Sequence, residues 1–273
     1  MRADCFMPEH RPLHASDLLP RPLGRLGRAL FLHTTIDSTN RFLLRHAQQV
    51  GDGAVAWAEY QSAGRGRRGR RWLAPRGSSV LLSVLLIEPG DAALHQHASL
   101  LGAVAACEAI AGATDCAPAI RWPNDLVLGG RKVGGVLAES CGLTDVGRRA
   151  VVIGVGINCL QRPEHFAGEL RQRATSLECE SPRPVDRAAV AATLLQRLDH
   201  WLMRVAQQPG GWDELRAVWH NHCHDFGQRV ILEHDGRTFS GTAIDVAADG
   251  DLIVQLDHGG RRHFAAALTT RAW

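Results

Sequence analysis

Joining two negatively charged reactants requires cations on a backbone that can close around them, and one stretch of this chain supplies both. Between Gln61 and Trp72 the residues read Gln-Ser-Ala-Gly-Arg-Gly-Arg-Arg-Gly-Arg-Arg-Trp, with three glycines and five arginines. Glycine lets the backbone move and approach a ligand closely. Arginine offers a bidentate donor fork to carboxylate and phosphate. A solvated basic loop or a nucleic-acid patch is the bland alternative. A glycine every two or three residues and flanking apolar strands favour an anion-cradling loop.

Three further strings carry candidate chemistry. Among 31 basic residues Lys132 is the single lysine, and it lies in the glycine string Arg131-Lys132-Val133-Gly134-Gly135. A genome that writes Arg for Lys explains the other thirty. The exception suggests a place where a compact ammonium fits and a planar fork does not. Arg121-Trp122-Pro123-Asn124-Asp125-Leu126 puts a carboxylate at the mouth of a strand. It reads either as a turn or as a Mg²⁺ ligand working with phosphates. Gly154-Val155-Gly156-Ile157-Asn158 is a strand whose glycines permit close ligand approach, or simply tight packing.

These strings need elements to hold them. Residues 1–28 are rich in Pro, Arg and Leu without periodicity and read as an irregular lead. A short strand over 30–35 precedes a helix capped by Asp37 or Ser38 and running to about Gln49. Strands are expected over 53–60, 79–87 and 150–157, with an Ala-rich helix over 95–112. Gly129 and Gly130 supply a hairpin turn. From Asp186 to Val205, Leu194, Leu195, Leu198, Trp201, Leu202 and Val205 form one apolar helical stripe, which is core. A second helix follows over 211–220. After Gly227 four short alternating strands suggest a small separate β-barrel, with the boundary near residue 226. His220, His222, Cys223 and His224 crowd a helix end, but adjacent helical residues cannot all face one ion. Glu108 and Glu139 read as structural or surface residues.

Composition narrows the class. The chain has 273 residues, 45% apolar and 22% charged, with a formal charge of +3. That is globular, and too weakly basic for a dedicated nucleic-acid binder. The longest apolar run, Ser79–Ile87, has strand length and cannot span a bilayer. The first 28 residues contain no apolar segment of the kind a secretory signal needs. Seven scattered cysteines without a CxxC pair fit a reduced, cytoplasmic protein.

Taken in order, Ser38-Thr39-Asn40, the glycine–arginine loop, the WPNDL string, RKVGGVLAE and GVGIN resemble the bacterial biotin–protein ligases over about residues 30–273. The resemblance implies an α+β protein. Its catalytic domain, over 29–226, would be built on a mixed sheet of the class II aminoacyl-tRNA synthetase and biotin ligase type. An SH3-like β-barrel would follow over 227–273. Ser38, Thr39, Asn40, Gln61, Arg65, Gly66, Arg67, Lys132, Gly135 and Gly154 would bind biotin. Arg67, Arg70, Trp72, Asn124, Asp125, Lys132, Asn158 and Arg271 would bind the nucleotide. Lys132, Arg65, Arg67 and Asp125 would be catalytic, with Asp125 also the Mg²⁺ ligand and the candidate base for transfer.

ATP and Mg²⁺ are then the expected cofactors and biotin the substrate. The expected partner is the biotin carboxyl carrier domain of acetyl-CoA carboxylase or a related carboxylase. Neither nucleic acid nor membrane is expected to bind, and the chain would be a monomer or homodimer. Three departures stand out. Arg121 replaces a frequent Lys, and Ala266-Ala267 replaces a glycine–acidic pair before the last strand, which bears on Arg271. Some members also carry an N-terminal helix-turn-helix repressor module. The residues up to 28 are too few for one, so a regulatory role is not expected. A lipoate or other acyl-adenylating ligase, a nucleic-acid binder using the arginine loop, and a biotin sensor without catalysis are the rival readings.

Overall fold

The computed structural model describes residues 11–88, 92–143, 148–247 and 249–271. A seven-stranded sheet forms its centre, in the order β1 (Leu30–His33), β2 (Val55–Ala58), β3 (Ser79–Glu88), β7 (Arg148–Asn158), β6 (Arg131–Leu143), β5 (Asp125–Leu128) and β4 (Ala119–Arg121). Only β1 and β2 run parallel; every other neighbouring pair is antiparallel, so the sheet is mixed. Gly129 and Gly130, at φ 54° and 75°, make the β5–β6 turn predicted from the sequence.

The helices in chain order are α1 (Ala15–Leu18), α2 (Thr39–Arg45), α3 (Ala47–Val50), α4 (Ala92–Ala113), α5 (Leu170–Arg173), α6 (Leu177–Glu180), α7 (Arg187–Gln207) and α8 (Gly211–His222). Period-2 alternation decides what each sheet face meets. On β7, Val151, Ile153, Val155 and Ile157 join the main core, with α4 and α7 packed on that side. Ala150 and Val152 point the other way, into a smaller cluster with Leu43 of α2 and Ala47 of α3. α7 begins at Asp186, whose carboxylate accepts from Ala188 N at 2.8 Å and Ala189 N at 3.2 Å. Its stripe of Leu194, Leu195, Leu198, Trp201 and Leu202 is buried, each side chain contributing roughly 1.5–3 kcal/mol.

Two expectations are corrected in detail. The helix after Asp37 is interrupted at His46, and its cap is Ser38, whose Oγ accepts from Arg41 N at 3.5 Å. Asp37 instead pairs with Arg45 at 3.1 Å and Arg41 at 3.5 Å. The second correction concerns the lead, of which residues 1–10 lie outside the described residues. Residues 11–28 are short of regular structure, yet they are docked. Leu18 and Leu26 are buried. The Asp199 carboxylate accepts from the backbone N–H groups of Gly24, Arg25 and Leu26 at 2.7–2.9 Å. Leu13 N donates to Glu59 Oε1 at 3.0 Å.

The C-terminal segment forms a five-stranded antiparallel sheet in the order β11 (Arg261–Phe264), β10 (Leu252–Leu256), β9 (Arg237–Val246), β8 (Arg229–His234), β12 (Thr269–Arg271). Four of these strands were expected from alternation; β12 is the last strand that the resemblance implied after Ala266-Ala267. The apolar cluster of this sheet is continuous with the main core rather than separate from it. Trp219 of α8 and Phe226 bridge the two, their ring centroids 6.2 Å apart. No described helix is long and apolar enough to cross a membrane.

Behind the sheet lies a buried ion pair. Arg187 Nη1 sits 2.8 Å from Glu59 Oε2, with side chains 4% and 6% exposed. Burial pushes the Glu59 carboxyl up. Arg187, Leu13 N and Trp57 Nε1 pull it further down, so the net shift is below its ordinary value. A carboxyl depressed in the fold contributes stability above its unfolded pKa and loses it as the pH falls through the folded one. Glu59→Gln strands a buried guanidinium and is expected to cost about 3 kcal/mol at neutral pH, read by urea denaturation. The variant should also lack part of the acid sensitivity that the wild type shows below about pH 4.

Candidate functional site

On β6 and β7 the side chains that face α2 shrink to hydrogen midway along the strands. Beyond Ala150 and Val152 the same face of β7 presents Gly154 and Gly156. A methyl group at Gly154 would lie 2.0 Å from Asn40 Oδ1. One at Gly156 would lie 2.8–3.2 Å from the Trp72 indole. The glycines thus let Asn40 and Trp72 lie flat against the sheet. Together with Gly135 on β6 they floor a cavity of about 460 Å³.

Every residue assigned to biotin or nucleotide from the sequence lines this cavity. Ser38, Thr39, Asn40 and Gln61 stand at one end, and Asn124, Asp125, Lys132, Asn158 and Arg271 toward the other. Arg65, Gly66, Arg67, Arg70 and Trp72 come from the loop above. Helix α2 places Thr39 and Asn40 in its first turn, where Thr39 N donates to Gln61 Oε1 at 2.8 Å.

Lys132 Nζ lies 2.5 Å from Asp125 Oδ1 and 5.8 Å from the centre of the Trp72 ring. The β5–β6 hairpin that carries both residues sets this pairing. Among the described lining residues Asp125 is the one carboxylate. With Asn124 beside it, the donor set suits a Mg²⁺ ion that takes its remaining oxygens from phosphates and water. The lysine contact shows that Asp125 already answers to a cation in this place.

The arginine loop is folded down over the cavity. Arg67–Gly69 make one 3₁₀ turn, with Arg68 at φ 53°. Arg67 donates to Asn124 Oδ1 at 3.3 Å and to the Ala266 carbonyl, and Arg68 donates to Thr270 Oγ1. Burial lowers the Arg67 pKa from its ordinary value, with Asp125 opposing. Arg65 lines the cavity, but its guanidinium is engaged by Glu139 at 2.7 Å. Glu139 is therefore not a surface residue. Glu108 is structural, accepting from Trp201 Nε1 at 3.0 Å.

The structure adds partners that sequence patterns do not reveal. Asp225 is fully buried and accepts from Trp122 N at 2.8 Å and from Arg271. It therefore ties the last strand, and the arginine that reaches the cavity, to the Trp-Pro-Asn loop. Asn158 has both amide ends occupied: Nδ2 donates to the Thr175 carbonyl at 3.0 Å and Oδ1 accepts from Gln161 at 2.9 Å. Arg121 Nη2 donates to the Gly130 carbonyl at 2.7 Å. Phe166, Leu170 and Arg173 complete one wall. In the histidine-rich segment, His220 lies against Phe226, with ring centroids 4.4 Å apart and planes tilted by 36°, and faces Asp245.

Comparison with known proteins defines the class and then the family. The profile of the biotin/lipoate A/B protein ligase family matches residues 32–158. That of the biotin protein ligase C-terminal domain matches residues 225–267. The bifunctional ligase/repressor BirA of Escherichia coli is 37% identical over 238 residues, covering 86% of this chain and 72% of that protein. The biotin–[acetyl-CoA-carboxylase] ligase of Mycobacterium tuberculosis is 35% identical over 231 residues, 82% of this chain and 81% of that one. The structure of biotin protein ligase from Aquifex aeolicus in complex with biotin and ATP superposes with a TM-score of 0.75. It covers 90% of this chain and 99% of that one at 24% identity. The chain belongs to the biotin protein ligase family, with a mixed-sheet domain followed by an SH3-like barrel.

The floor makes a steric prediction. Gly154→Ala must drive Asn40 out of place and is expected to cost about 1–3 kcal/mol. Gly112→Ala is the control: on α4 its new methyl meets only Thr193 at 3.6 Å, so it should gain about 0.5–1 kcal/mol. Paired denaturant melts read both.

Proposed function

We propose that this protein activates biotin with ATP to biotinyl-5′-AMP, releasing pyrophosphate, and transfers the biotinyl group to a lysine of a carboxylase biotin carrier domain, releasing AMP. One observation carries the reading. The only lysine of the chain and the most buried arginine of the loop converge on a cavity floored by glycine and lined at its far end by neutral polar groups. On this reading residues 29–226 are the catalytic domain and 227–273 the barrel, and the protein works in the cytoplasm.

Activation brings a carboxylate against the α-phosphate. Two unit negative charges at about 4 Å repel by roughly 4 kcal/mol at an effective dielectric of about 20. Lys132 would bridge the two anions and Arg67 would face them from the loop, offsetting that repulsion as charge develops. Asp125 and Asn124 would hold a Mg²⁺ ion, which supplies further charge neutralisation at the phosphates. The nucleophile is the substrate's own carboxylate, so no protein nucleophile is required. The mixed anhydride formed is sensitive to water, and the arginine loop is placed to cover it. For transfer, the acceptor amine must lose a proton, and Asp125 is the candidate base. The acceptor lysine belongs to another protein, since Lys132 is occupied.

Biotin-dependent exchange of pyrophosphate into ATP, followed by label transfer to a purified carrier domain, tests the proposal. Exchange driven by lipoate instead would favour the other branch of the matched family. Lys132→Arg keeps a charge but replaces a point donor by a fork. Its exchange rate is expected to fall by about two orders of magnitude or more, as for loss of a transition-state donor. Biotin plus ATP should also slow tryptic cleavage after Arg67 to Arg71, as the loop tightens over its cargo.

A further inference from the structure

Glu139 stands on β6 just outside the cavity lining and takes no part in the proposed chemistry. It nevertheless terminates a continuous set of hydrogen bonds. Arg65 Nη1 is 2.7 Å from its Oε1, and Asn40 Nδ2 donates to its Oε2 at 3.0 Å. The same amide nitrogen donates to the Leu137 carbonyl at 3.1 Å, so both its hydrogens are committed. Asn40 Oδ1 is then the end that faces Ser83, whose hydroxyl donates to it at 2.6 Å. A hydroxyl carries a single hydrogen. In its 2.6 Å contact with Thr39, Ser83 therefore accepts and Thr39 donates, which leaves the longer 3.3 Å contact of Thr39 Oγ1 with Gln61 Oε1 as the lesser branch of that one hydrogen. Thr39 N completes the set on Gln61 Oε1 at 2.8 Å.

The donor and acceptor sense of the buried floor thus follows from two acceptors on β6, the Glu139 carboxylate and the Leu137 carbonyl. We infer that Glu139 is a positioning residue: one oxygen tethers the arginine loop through Arg65, while the other orients Asn40 and, through it, the Ser83 and Thr39 hydroxyls. The inference rests on the biotin ligase reading only for what the floor receives, a cyclic urea whose carbonyl and N–H groups need partners of fixed sense. Arg65 becomes the anchor of the loop, and the reacting anions are left to Arg67 and Lys132. A glutamine at 139 has the same shape but one donating arm. Facing two donors with a single neutral oxygen, it weakens both the tether and the orientation.

The test compares Glu139→Gln, Arg65→Gln and the double variant. Tryptic cleavage between Arg67 and Trp72 is followed by mass spectrometry in ligand-free protein. Biotin affinity is measured by calorimetry, and the KM for ATP by pyrophosphate exchange. A hydrogen bond to a charged group is worth about tenfold or more. Each single variant should therefore speed cleavage about tenfold, and the double variant no further. Glu139→Gln should weaken biotin binding about tenfold and leave the ATP KM within about twofold. Additive effects on cleavage, equal losses for biotin and ATP, or unchanged cleavage in Arg65→Gln would overturn the assignment. That last variant sits on the exposed loop and spares the core, so it decides the tether even where Glu139→Gln folds poorly. Wild-type protein that binds no biotin would refute the ligase reading, while the cleavage comparison would still decide the tether.

Discussion

The site depends on an absence. Where strands β6 and β7 pass beneath α2 they carry full side chains, Ala150 and Val152 on β7 and Cys141, Glu139 and Leu137 on β6. One step further they carry glycine at 135, 154 and 156, and the space released is the cavity. Residues that would otherwise pack above a sheet can then lie against its backbone, as Asn40 and Trp72 do. Trp72, held flat over Gly156, in turn presents its ring to Lys132. The lysine's position is thus set twice, by the hairpin partner Asp125 and by an aromatic face. The opposite face of β7 carries Val151, Ile153, Val155 and Ile157, which bind the sheet to the core that α4 and α7 complete.

A second constraint joins the two ends of the chain to this centre. Asp225 is buried between the last strand and the Trp-Pro-Asn loop and is satisfied by a backbone N–H and a guanidinium. A buried carboxylate is tolerable only with such partners. Arg271 therefore reaches the cavity from a fixed base, and the C-terminal sheet is mechanically part of the site. At the other end, Asp199 gathers three backbone N–H groups of the N-terminal segment onto α7. Glu59, also held by Leu13 N, carries that segment's contacts to within one strand of the loop.

Much of this was legible in the sequence. Period-2 and period-3.6 patterns located the long strands and α7, because burial on one face leaves a trace in every second or every third and fourth residue. The site strings were legible because glycine, arginine and a lone lysine are conspicuous in composition. What escaped were pairings over long separations. Nothing local announces that Asp225 meets Trp122, that Glu139 meets Arg65, or that Asn158 spends its amide on Gln161 and Thr175. β12 was expected from the resemblance alone, because three residues are too few to show alternation. The docking of residues 11–28 escaped because it relies on backbone N–H groups, which any sequence supplies.

The same indifference of the main chain bears on the unusual Ala266-Ala267 pair. Arg67 meets position 266 through its carbonyl oxygen, not its side chain. A peptide oxygen is present whichever amino acid stands there, so this clasp between the loop and the barrel is insulated from drift at that position. What the clasp demands is the path of the chain, which the short 3₁₀ turn over Ala266–Leu268 provides.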